Sequence, residues 1–147
     1  MKKDVLEMKR ILLGALLVCM VWVIAMLPAE AGYSKYLNGD TNYVLVYGHM
    51  GVAFYLDKSS VVAKQDDSTA HAFAENILSV DSDGNITGNQ TYWYYQKVDS
   101  QDLYEAYKSN DGNHWNSFEI NDDSGAMAVV VQGFKYGWPI AFGYGWS

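Results

Sequence analysis

The stretch NYVLVYGHMGVAFYL, residues 42–56, carries the strongest fold signal in the chain, because it contains two apolar segments on either side of a tight turn. Residues 43–47 alternate with a period of two between tyrosine or leucine and valine, which is the pattern of a β-strand. Residues 52–56 alternate in the same way, and the connection at residues 48–51 is bracketed by glycines. The stretch therefore predicts a β-hairpin.

Turn and strand signals continue along the chain. The sequence DKSS at residues 57–60 predicts a second turn, because Asp and Ser side chains bond to nearby backbone donors. Residues 81–88 have the composition of a loop, and residues 114–120 are either irregular or a last short strand. Further strands are predicted at residues 61–64, 69–80, 91–98 and 103–108.

The periodicity changes near the C-terminus. Residues 122–124 (DDS) predict a helix N-cap, and residues 126–136 place their large apolar side chains on one helical stripe. Gly137 stands where a C′ glycine is expected, and Pro139 is expected to prevent the helix from continuing. The resulting prediction is an α+β fold, an antiparallel meander of five to six strands with one C-terminal helix packed on the sheet.

The first 31 residues have the three parts of a secretory signal. Lys and Arg residues precede an apolar run at residues 11–27, and Pro28 is followed by Ala29 and Ala31, small residues of the kind that a signal peptidase reads. We predict cleavage after Ala31. The run is close to the lower limit of about 17 residues for a spanning helix, so an uncleaved anchor is the alternative.

Cleavage would leave residues 32–147 as a single β-rich domain, exported to the periplasm, the cell surface or the extracellular space. The chain has 17 acidic against 10 basic residues. Its one arginine, Arg10, and its one cysteine, Cys19, both lie in the predicted signal. Such a domain is a poor candidate for binding nucleic acid or anionic membranes, and it cannot form disulfides or use a catalytic thiol. We expect no membrane span after cleavage.

No motif in the sequence predicts catalysis or a metal site. The three histidines lack metal-ligand spacing, and no Gly-x-Ser-x-Gly elbow is present. Residues 81–85 resemble the start of a calcium loop, but Ile86 and Tyr92 stand where that loop needs a glycine and a bidentate acid. We therefore predict a non-enzyme without catalytic residues, metal or cofactor. A hydrolase or metal-dependent site assembled only in three dimensions is the alternative.

The aromatic residues are the unusual feature of this chain. The run Tyr92–Tyr95 (YWYY) predicts a strand with aromatic side chains on both faces, so we do not expect the second face to be fully exposed to water. That face is either a half-buried edge of the core, in which each tyrosine hydroxyl reaches water, or an interface. The candidate contact residues are Trp93, Tyr94, Tyr95 and Trp115, because Tyr and Trp are enriched at interfaces. One face of the sheet must be core, so some of these four must be buried instead.

These observations predict an exported, non-catalytic interaction domain that binds an extracellular or envelope protein or a glycan through aromatic side chains. The alternative is an envelope structural or assembly module whose aromatic sheet face makes a homodimer contact.

The stretch NYVLVYGHMGVAFYLDKSS, residues 42–60, resembles the opening of the surface-adhesin protein E-like family of small exported bacterial domains. The resemblance lies in an aromatic-rich strand that ends in Tyr55-Leu56-Asp57, followed by Ser59 and Ser60. The later order is also similar: a tyrosine-bearing strand, residues 111–112 (DG), Trp115 and a C-terminal helix. The resemblance implies a sheet with a C-terminal helix and adhesin-like, non-enzymatic binding of extracellular proteins. No binding residue is carried over from it.

Overall fold

The computed structural model describes residues 32–99, 104–108 and 114–146, and in residues 104–108 it describes only one side chain, that of Ala106. The predicted signal at residues 1–31 and the pair at residues 111–112 lie outside the described residues. The described elements are a short 3-10 turn (Leu37–Gly39), β1 (Tyr43–His49), β2 (Val52–Asp66), β3 (Ala70–Val80), β4 (Ile86–Lys97), β5 (Tyr104–Lys108), β6 (Trp115–Phe118) and α1 (Gly125–Phe142).

The six strands form one antiparallel sheet in chain order, and α1 packs on one of its faces. This arrangement confirms the predicted α+β meander with a C-terminal helix. The hairpin between β1 and β2 is confirmed as well, since His49 pairs with Val52. Met50 and Gly51 close it with φ angles of 49° and 82°, the left-handed pair of a type I′ turn, whose twist matches that of the strands.

The predicted turn at residues 57–60 is wrong, because β2 runs without interruption from Val52 to Asp66. The separate strand predicted at residues 61–64 is the second half of β2. The register with β3 shifts between Asp57 and Val62, so the extra residues form a bulge where a reversal was expected.

The polar side chains of this bulge form hydrogen bonds to nearby backbone groups, as turn residues do. They also form hydrogen bonds to neighbouring segments of the sheet. Asp57 Oδ1 accepts hydrogen bonds from the Ser59 backbone N–H at 3.0 Å and from Asn42 Nδ2 at 2.7 Å. Ser60 Oγ donates to the Asp57 carbonyl at 2.6 Å and accepts from the Asn76 N–H of β3 at 2.8 Å. Because Ser60 replaces a missing ladder bond, the strand stays attached to β3 through the bulge.

The predicted C-terminal end of the helix is also wrong. The helix α1 includes Gly137 and Pro139 and ends at Phe142, where Gly143 is the left-handed C-cap with φ of 78°. Pro139 lacks an N–H, so one intrahelical hydrogen bond is missing. The last turn forms nevertheless because Phe142 packs against the Trp138 ring, with centroids 4.6 Å apart, and against Phe73 of β3 at 5.8 Å. In the described residues, no helix is both long and apolar enough to span a membrane.

The helix approaches β3 most closely at Gly133 and Gly137, which lie about one turn apart on the same side of α1. A Cβ at Gly137 would overlap Glu75 Oε2 and lie 2.5 Å from a Phe73 ring carbon. A Cβ at Gly133 would lie 2.5 Å from Glu75 Oε1 and 2.6 Å from the Tyr94 hydroxyl oxygen. The absence of side chains at both positions therefore permits this close packing.

The other face of the sheet is partly covered by the segment that precedes β1. Leu37 joins a second buried cluster with Ala53, Tyr55, Leu78 and Val80. The segment is held by hydrogen bonds from the Tyr55 hydroxyl to the Ser34 carbonyl (2.9 Å) and from the Leu45 N–H to the Lys35 carbonyl (2.8 Å). It covers one half of the second face, at the β1–β2 hairpin.

We expect Gly137→Ala to lower the free energy of unfolding by about 2 kcal/mol, because the new methyl overpacks the Glu75 and Phe73 contact. Helix propensity acts in the opposite direction by about 1 kcal/mol. Urea unfolding of the two proteins measures the difference. Gly145→Ala is the matched control, since a Cβ there meets no atom within 4 Å. A Gly137→Ala variant as stable as the wild type would contradict this account of the packing.

Candidate functional site

The two faces of the sheet separate clearly at β4. Tyr92 and Tyr94 point to the side of α1 and are 7% and 1% exposed. Trp93 and Tyr95 point to the opposite side and are half-buried, as strand alternation requires. Neither is covered by the segment before β1, whose contacts lie at the other end of the sheet.

Three of the predicted contact residues lie on this half of the second face, which the described segment before β1 does not cover. We call Trp93, Tyr95 and Trp115 the aromatic surface. The Tyr95 and Trp115 rings lie 5.8 Å apart with their planes tilted by 51°, and Trp115 is 47% exposed. On the other side, Lys64 Nζ lies over the Trp93 ring, 5.1 Å from its centroid.

Small residues of β3 flank this surface. Ala74 pairs with Trp93, and Ala72 pairs with Tyr95. On the β3 side, each of these two rings therefore has only a methyl group as its neighbour in register. Lys64 was not singled out from the sequence, because its position beside Trp93 depends on β2 continuing past the bulge at residues 57–60.

Tyr94, the fourth predicted contact residue, belongs to the core. Its ring stacks on Phe73 with centroids 4.8 Å apart and meets Phe134 of α1 at 5.7 Å. Its hydroxyl donates to the Val130 carbonyl at 3.1 Å. Tyr94 is 1% exposed and offers no surface to a partner. The prediction that Tyr94 contacts a partner is therefore wrong, because the side chain is buried under the helix.

A buried acid, Glu75, lies beneath the helix, away from the aromatic surface. Glu75 is 1% exposed, and neither carboxyl oxygen has a hydrogen-bond partner by geometry. Burial raises the pKa of this carboxyl well above its usual value of 4.5, and the neighbouring Tyr94 hydroxyl opposes the shift only in part. That hydroxyl directs its proton to Val130, so the Glu75 site favours the protonated, neutral acid.

A small polar pocket of about 220 Å³ lies near the end of α1. His71 lines it, and its Nδ1 lies 2.9 Å from Asp66 Oδ1, which also accepts a hydrogen bond from the Tyr144 hydroxyl at 3.4 Å. The T-shaped contact between His71 and Trp138, 5.3 Å between centroids, orients the imidazole. Among the residues that the structure describes, no group of three or more His, Cys, Asp or Glu side chains could hold a metal ion.

The buried Glu75 makes stability depend on pH in a defined direction. Because the folded-state pKa is raised, the folded protein binds more protons than the unfolded chain at pH values above 4.5 and below the folded-state pKa. The free energy of unfolding therefore falls as pH rises, by up to about 1.4 kcal/mol per pH unit for one proton. Asp67, Asp81 and Asp122 have lowered pKa values, so the stability they add is lost at more acidic pH than this interval.

We expect Glu75→Gln to flatten this slope when urea unfolding is measured from about pH 5 to about pH 8. Glu119→Gln makes the same change at an exposed position and should leave the slope as in the wild type. Equal slopes for the wild type and Glu75→Gln would show that the carboxyl is not held neutral by burial.

Comparison with known proteins finds no relative. No family model matches the chain, and neither curated proteins nor solved structures include a match. The resemblance of residues 42–60 to the surface-adhesin protein E-like family stays a prediction.

Proposed function

We propose that this chain is an exported, non-catalytic binding domain that contacts a protein of the envelope or the extracellular space through its aromatic surface. The observation that supports this proposal is the grouping of Trp93, Tyr95 and Trp115 on the half of the second sheet face that the N-terminal segment leaves open. Interfaces are enriched in Tyr and Trp, which supply a large contact area at a low cost in side-chain entropy. Export rests on the signal predicted at residues 1–31.

The geometry favours a protein over a glycan as the partner. A flat sugar ring stacks best on rings that share a plane, whereas the planes of Tyr95 and Trp115 are tilted by 51°. One face of Trp93 already meets the ammonium of Lys64. Tilted rings beside a cation suit a protein partner, which can place apolar side chains against the rings and present a carboxylate to the lysine.

The alternative is an envelope assembly module in which the same surface meets its counterpart on a second copy. A two-fold contact would place the aromatic surface of each copy against that of the other. In that case the chain would be a dimer whose dissociation responds to the same substitutions as the binding proposed above.

We expect Trp115→Ala to weaken partner binding by about 30-fold, because a central aromatic anchor contributes about 2 kcal/mol or more. Tyr136→Ala is the matched control, since Tyr136 is a 41% exposed aromatic residue on the outer side of α1. Exported proteins retained by the wild type and by Tyr136→Ala, but lost by Trp115→Ala, are purified, and their dissociation constants are measured against all three full-length chains. Thermal unfolding confirms that the variants are folded.

Two measurements separate the competing outcomes. Light scattering over a wide concentration range tests self-association, and a dimer that Trp115→Ala dissociates would replace the proposal by the assembly module. A glycan array probed with the same three chains tests sugars, and a glycan lost only by Trp115→Ala would overturn the choice of a protein. The absence of any Trp115-dependent partner in all three assays would overturn a binding role for this surface.

A further inference from the structure

A cleft of about 660 Å³ lies on the helix side of the sheet, where the first turns of α1 leave the ends of the strands uncovered. It is separated from the aromatic surface by the sheet itself. Tyr92, Val129 and Val130 contribute apolar walls next to the core. Its volume is within the range of about 300–1,000 Å³ that is typical of sites for small molecules.

One wall of the cleft is a row of rings set by the pairing of β1 and β2. Tyr47 and Phe54 are register partners, and their rings are stacked with centroids 6.4 Å apart and planes 25° apart. His49 continues the row, 6.2 Å from Tyr47 at 29°. Because the backbone pairing of the hairpin positions these side chains, the wall exists before any ligand binds.

The described lining of the cleft offers a ligand no carboxylate, ammonium or guanidinium group. None of the described residues that line the cleft is Asp, Glu, Lys or Arg. Against these described residues an ion would lose hydration without gaining a carboxylate, ammonium or guanidinium partner among them, at a cost of several kcal/mol. Neutral hydrogen-bonding groups are present at Gln90, Asn116 and Ser117.

We propose that this cleft binds an uncharged small molecule with a flat, mainly apolar ring system. The ring system lies along the Tyr47–Phe54 wall, and one or two polar atoms of the ligand meet Gln90 or Asn116. This site is independent of the protein contact proposed above, since it lies on the opposite face of the sheet and uses none of the residues of the aromatic surface.

The test uses N-phenyl-1-naphthylamine, an uncharged probe with a naphthyl and a phenyl group whose fluorescence increases in apolar sites, titrated into the full chain. We expect saturable binding that weakens by about ten-fold or more in Ala126→Trp, because Ala126 lines the cleft and is exposed, so the new ring occupies the site without disturbing the core. Ala63→Trp makes the same substitution at an exposed position outside the cleft. Both variants share residues 1–31, so any binding by that segment is equal in the two.

A second variant and a second probe make the outcome decisive. Tyr47→Ala removes the central ring of this wall and should also weaken binding by about ten-fold. 1-Anilinonaphthalene-8-sulfonate has similar rings and a negative charge, and should bind about ten-fold more weakly than the neutral probe. Affinities unchanged in both Ala126→Trp and Tyr47→Ala would overturn the site, and equal affinity for the sulfonate would overturn the selectivity for uncharged ligands.

Discussion

The close contact between α1 and β3 at Gly133 and Gly137 sets the distance between the two layers of the domain, and the core forms around it. Without a Cβ at these two positions, the helix backbone descends onto the Glu75 carboxyl and the Phe73 ring. At this distance the rings of Phe134 and Trp138, 5.3 Å apart, reach down on either side and interlock with Phe73. A side chain at either position would move the helix away from the sheet and loosen the packing of the aromatic core. The Glu75 carboxyl is buried at this same contact, and burial raises its pKa. The stability of the packing between α1 and β3 therefore depends on the protonation of Glu75.

The position of α1 determines what each face of the sheet can do. On the helix side, the strand ends beyond the first turns of α1 remain uncovered and form the cleft beside Tyr47 and Phe54. On the other side, the segment before β1 covers the hairpin end and leaves the half that carries Trp93 and Tyr95. A two-layer domain with one helix has too little secondary structure to cover both faces, and the two candidate sites lie where the coverage ends.

Local sequence rules predicted most elements correctly and failed at two places for the same reason. The polar run at residues 57–60 has turn chemistry, but the neighbouring β3 provides the Asn76 N–H that Ser60 satisfies, and a bulge results. Gly137 and Pro139 have the pattern of a helix end, but contacts of Phe142 with the core extend α1 past both residues to Phe142. In both cases packing against a segment distant in sequence outweighs a local preference of about 1–3 kcal/mol.

The strands, their order and the C-terminal helix could be predicted from the amino-acid sequence, because alternation, tight turns and helical periodicity are local properties and neighbouring strands in a meander pair through short connections. The same patterns identified β4 as a strand with aromatic residues on both faces. Tertiary packing was needed to establish that Tyr92 and Tyr94 are core while Trp93 and Tyr95 are exposed in part. Alternation separates the two sets but does not say which one the helix covers. That choice depends on the glycines of α1 meeting Glu75 of β3, a contact between residues that lie far apart in the chain.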